Sequence, residues 1–76
     1  MEIFPGISMD PGVRFGKPCL TGTRIDVATV VGALAAGENI ETVQDAYAIT
    51  REQILSALRY ATYVAEHVPP AVKQAS

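Results

Sequence analysis

Between Gly16 and Ile25 the chain reads GKPCLTGTRI. Two glycines, two cations and two threonines directly ahead of a helix-like run are residue types that can hold a phosphate. The common nucleotide-binding loop needs Gly-Lys followed by Ser or Thr and opening straight into a helix, so that backbone N–H groups and the lysine converge on the anion. Here Gly16-Lys17 is followed by Pro18, which has no N–H to donate, and Gly22-Thr23 lacks the lysine. The stretch therefore reads as a connector. Pro18 favours an extended Lys17, Gly22 permits a positive-φ turn, and Thr23-Arg24-Ile25 is expected to form a short strand leading to Asp26. Arg24 beside that acid is expected to clamp the corner to a carboxylate or carbonyl. Gly16, Lys17, Pro18, Gly22, Thr23 and Arg24 are thus assigned as structural motif residues.

The remaining reactive side chains do not assemble into a catalytic set. His67 falls at a helix end, where a cationic imidazole suits the dipole, and nothing marks Cys19 or a serine as its partner. The single cysteine cannot form an internal bridge, and neither it nor the histidine has zinc-like spacing. Most acids fall on exposed helix faces, away from paired-carboxylate geometry. The expectation is a non-enzymatic protein with no catalytic residue, cofactor, metal or small-molecule substrate.

The elements that carry these residues change character at Asp26. Glycine and proline punctuate residues 1–25, whereas every alanine follows Asp26, which separates a β arm with turns (1–25) from a helical body (26–68) and a short tail (69–76) within one domain. In the arm, Ile3-Phe4, Ile7 to Met9, Val13 to Phe15 and Cys19-Leu20 read as very short strands between turns. Such strands do not form a stable sheet alone, so the arm is expected to pair with the same arm of a second copy, through Ile3, Phe4, Ile7 and Met9. Only 76 residues and no disulfide also favour a homodimer.

In the body, Asp26 is the expected N-cap of a helix whose apolar face is Val27, Val30, Val31, Leu34 and Ala35 and whose stop is Gly37. Asn39 caps a second helix of about two turns. Thr50-Arg51-Glu52-Gln53 has the capping-box form and opens the longest helix, which Pro69-Pro70 ends. Two helices joined by a short corner give the fold class: mainly α, three helices with a helix-turn-helix outline, and a short N-terminal β arm or hairpin. If the third helix reads DNA, Arg51 and Gln53 face base edges while Ser56 and Arg59 reach bases or phosphates. The net charge of −2 argues against bulk electrostatic coating of nucleic acid. No apolar run is long enough to span a bilayer and no secretory leader is visible, so a cytoplasmic protein without membrane contact is expected.

The combination DPGVRFGKPCLTGTRI, a helix closing at AAGENIETV, and YAITREQILSALRYA resembles the prokaryotic domain of unknown function four-three-three family over Ile7 to about Ala65. GKP followed by GTRI at this spacing is the specific part. The resemblance implies a homeodomain-like three-helix body and the antitoxin role of a type II toxin–antitoxin pair. It also implies a PIN-like ribonuclease toxin as partner and autorepression of the operon through operator DNA. The family pattern commonly has proline after the tyrosine at the inter-helix corner, where this chain has Ala48. Within that reading, Val68, Pro70, Val72 and Lys73 of the tail are the expected toxin contacts, the lysine suiting an acidic pocket and the others an apolar groove.

Overall fold

A computed structural model describes residues 1–67, and the order is β1 (Glu2–Phe4), β2 (Ile7–Ser8), β3 (Cys19–Leu20), α1 (Val27–Ala35), α2 (Ile40–Tyr47) and α3 (Arg51–His67). Three short strands form an antiparallel sheet in the order β1-β2-β3, with Ile7 opposite Leu20 and Ser8 opposite Cys19. Because side chains alternate across a sheet, this register sends Ile7 and Leu20 to one face and Ser8 and Cys19 to the other. The first face is the core face. Ile7 and Leu20 are enclosed with Val27 and Val30 of α1, Val43 of α2, Ile49 of the corner, and Ile54 and Ala57 of α3. Phe4 extends the contact along α3, its ring 5.4 Å from that of Tyr60 and 5.2 Å from that of Tyr63.

The arm thus lies on its own α3. Ile7 has 0% exposure and is spent in this core, whereas Ile3 and Met9 remain exposed. Two expectations for the arm are corrected. Val13 to Phe15 is not a strand: the N–H of Val13 bonds the carbonyl of Asp10 at 2.8 Å and that of Gly16 bonds Val13 at 3.0 Å. These tight turns wind Arg14–Gly16 into a 3₁₀ turn, with Arg14 and Phe15 both at positive φ. Thr23-Arg24-Ile25 is likewise a turn rather than a strand. Thr23 folds back on the Leu20 carbonyl through its N–H and its hydroxyl, and the hydroxyl also accepts from the Ile25 N–H.

The helix boundaries follow the local chemistry that the sequence carries. Asp26 Oδ1 accepts from the Thr29 N–H at 3.1 Å and Asn39 Oδ1 from the Thr42 N–H at 2.8 Å. Caps of this kind contribute about 1 kcal/mol each. The first helix closes in a Schellman arrangement, Gly37 N–H to the Leu34 carbonyl and Glu38 N–H to the Ala33 carbonyl, with Gly37 at φ 103°. Thr50 and Gln53 satisfy each other reciprocally at the start of α3, at 2.8 and 3.1 Å. Between α2 and α3 lie only Ala48 to Thr50, and Ala48 turns the chain by adopting a left-handed conformation, φ 56° and ψ 45°.

Candidate functional site

Three surfaces collect the candidate residues. On α3, Arg51, Gln53, Ser56 and Arg59 lie near the N-terminal half, yet their side chains are engaged differently. The Gln53 amide oxygen is held by the Thr50 N–H. Ser56 lies under the β1–β2 turn, against Gly6. The Arg59 guanidinium is paired with the Glu52 carboxylate and reaches Ser56 Oγ at 3.4 Å. Arg51 is exposed at the start of the helix and has no ion pair among the described residues. The helix therefore brings the four together along one half, but Arg51 is the cation with the least internal engagement.

The second surface is the outer face of the sheet. Ser8 and Thr21 share a hydrogen bond of 2.7 Å between their hydroxyls there. The Asp10–Gly16 loop stands over this face and leaves a cleft of about 460 Å³, lined among others by Asp10, Lys17, Cys19, Gly22, Thr23 and Arg24. Bridged to the cleft-lining Cys19, Asp26 is 4% exposed and its carboxylate is 3.6 Å from the Arg14 guanidinium. Arg14, and not Arg24, is thus the cation that meets this acid. The sequence signal for it was weak, since Arg14 reaches the acid only because the 3₁₀ turn folds the loop back. Hydrogen bonds from Thr29, side chain and backbone, hold the Asp26 carboxyl below the usual carboxylate range against the opposing effect of burial. Burial pushes the Cys19 thiol up, with the charge of Asp26 adding to it, and its Sγ–H points at the Lys17 carbonyl at 3.4 Å. A thiol in that state is a small apolar filler and a poor nucleophile.

The third surface was not singled out from the sequence. Pro18, Val27, Ala28 and Val31 on one side and Tyr60, Ala61, Val64 and Ala65 on the other line an almost wholly apolar groove of about 300 Å³ between α1 and α3. A signal for it exists: no charged residue occurs from Val27 to Gly37, so α1 has no side that demands water. His67 closes α3 by bonding the Tyr63 carbonyl through Nδ1 at 2.7 Å and stacking on the Tyr63 ring. Val68, Pro70, Val72 and Lys73 lie outside the described residues. Among the described residues no three His, Cys, Asp or Glu side chains gather as a metal site, and no helix is long and apolar enough to cross a membrane.

Comparison with known proteins places these features in a family. A relative from Mycobacterium tuberculosis (strain ATCC 25618 / H37Rv), named "Putative antitoxin VapB45", is 36% identical over 52 residues, 68% of this chain. The chain spans only 22% of that relative's length. The crystal structure of Rv2018 from Mycobacterium tuberculosis superposes with a TM-score of 0.62 at 36% identity, over 68% of this chain and 24% of that one. The family model described as "Protein of unknown function (DUF433)" matches residues 7–61, from the buried Ile7 of β2 to Ala61 in the α3 wall of the groove, and the chain belongs to that family.

Proposed function

We propose that this protein is the antitoxin of a type II toxin–antitoxin pair, a non-enzymatic partner that neutralises a PIN-like ribonuclease toxin by direct contact. The observation that carries the reading is the uncharged groove between α1 and α3. A preformed apolar groove lined by Val31, Ala61 and Val64 suits an apolar helix or strand of another protein, whose side chains would leave water on docking. The relative's name supplies the antitoxin class. Val68, Pro70, Val72 and Lys73, which come after α3 in the sequence, are included in the proposed toxin contact.

Homodimerisation belongs to the same proposal. The outer edge of β1 has no strand beside it among the described residues, and Ile3 and Met9 are exposed on the arm. Edge pairing with a second copy would satisfy those backbone groups. Operator repression through α3 is the finer part, with Arg51 as the leading base contact because Arg59 is paired with Glu52.

The test is co-expression with the product of the adjacent reading frame in a host whose growth that product arrests. Restored growth and co-purification are expected, and Val64→Glu should abolish both while leaving the circular-dichroism spectrum unchanged. Arrest that persists with the unmodified, folded chain removes the antitoxin reading.

A further inference from the structure

We infer that the cleft over the outer face of the sheet is a binding site for a ligand carrying two adjacent phosphate groups. The argument starts from the register. Leu20 N–H bonds the Ile25 carbonyl and Val27 N–H bonds the Pro18 carbonyl, both at 2.9 Å, so residues 18–20 and 25–27 form a fixed ladder around the Cys19–Asp26 bridge. Lys17 precedes this ladder and Arg24 lies in the turn that closes it, and both line the same cleft. Two long cationic side chains lining one cleft fit a pyrophosphate, or consecutive phosphates of a nucleic-acid strand, better than one small ion.

The backbone adds donors. The Thr23 N–H closes a turn on Leu20 with Gly22 at φ 81°, the type II pattern, and among the described residues neither the Gly22 nor the Arg24 N–H meets a protein acceptor. Free N–H groups beside cationic side chains in a concave wall are the ingredients of an anion site. One carboxylate, Asp10, opposes them, and its Oδ1 already accepts from the Gly12 N–H at 2.9 Å. The other nearby acid, Asp26, is met by Arg14, so Lys17 and Arg24 leave the cleft cationic. This is a different arrangement from the nucleotide-binding loop that Pro18 excludes, since the phosphates would lie across a sheet hairpin and not at a helix start.

Amide spectra of the isotope-labelled full chain, titrated at constant ionic strength with inorganic pyrophosphate, inorganic phosphate or a short DNA duplex of arbitrary sequence, test the site. The Gly22 and Arg24 amides should shift and saturate, with pyrophosphate binding tighter than phosphate. Combining Lys17→Gln with Arg24→Gln, both exposed positions, should weaken the binding about tenfold or more. Asp10→Asn should tighten it several-fold by removing the opposing charge. Saturation with pyrophosphate assigns the site to a free diphosphate, and saturation with the duplex alone assigns it to backbone phosphates. Amides that stay in place with every probe, or that shift equally in the double variant, overturn the inference. None of these outcomes depends on toxin binding.

Discussion

Gly6 and Ser56 are packed so closely that a Cβ on Gly6 would lie 2.8 Å from Ser56 Oγ and 3.0 Å from Ser56 Cβ. Gly6 also sits at φ 82°, where an L side chain is strained. The contact is what seats the β1–β2 turn on α3, and it accounts for a glycine in a turn whose other function is merely to reverse the chain.

Gly6→Ala is therefore expected to cost about 2–4 kcal/mol, combining left-handed strain with overpacking. Gly22→Ala provides the reference, because Gly22 has a similar φ of 81° but nothing within 4 Å of its virtual Cβ. It should cost only the strain, about 1 kcal/mol. Urea unfolding of both variants isolates the contact by difference. Equal losses would mean that the hairpin does not press on α3.

Acid sensitivity should centre on Asp26. Its folded pKa is lowered, chiefly by hydrogen bonding from Thr29, so its stabilisation is fully present above the ordinary carboxylate range and disappears as pH falls below about 4. Asp26→Asn keeps a competent cap acceptor while deleting the charge that faces Arg14. Urea midpoints measured from neutral pH down to pH 3 should therefore fall less steeply for the asparagine variant than for the parent. Parallel acid limbs would assign the titration elsewhere. Asp26→Ala, which loses the cap as well, should cost about 1–2 kcal/mol at neutral pH.

Much of this fold was legible because short-range chemistry decides it. Asp26, Asn39 and Thr50 with Gln53 set helix starts by bonds within three residues, and Gly37 sets a stop, so each could be read from neighbours alone. The arm was less legible. Its pairing depends on α3, more than thirty residues away, and no local rule shows that Phe4 will meet Tyr60. The same holds for Arg14 and Asp26, which become partners only through a 3₁₀ turn at two non-glycine residues of positive φ. At the candidate surfaces, residue types were visible in advance but engagement was not always: Arg59 reads as a free donor and is paired with Glu52.

Ala48 marks where the chain accepts strain. Its left-handed conformation, φ 56°, sends the backbone from α2 into α3, and a proline ring could not adopt it. Glycine removes the Cβ conflict at some expense in unfolded-chain entropy, so Ala48→Gly should raise stability by about 0.5–1 kcal/mol. The measurement is the urea midpoint at unchanged slope. A loss would show that the corner relaxes to negative φ in solution.

Operator binding, if α3 performs it, is restrained by Glu52. Both members of the Glu52–Arg59 pair are largely exposed, so the pair contributes little to stability, on the order of 0–1 kcal/mol. Its effect on DNA would be larger, because the carboxylate both neutralises Arg59 and repels phosphates. Glu52→Gln should leave the melting temperature nearly unchanged yet tighten binding to an operator fragment. It should also steepen the salt dependence by about one phosphate contact, a slope change near 0.9 in log–log form. Arg51→Ala should relax sequence preference, and Arg59→Ala, made in the Glu52→Gln background, should return the slope to the parental value. A Glu52→Gln protein whose affinity and salt slope match the parent would take α3 out of DNA recognition and leave the cleft over the sheet as the surface with cations to offer.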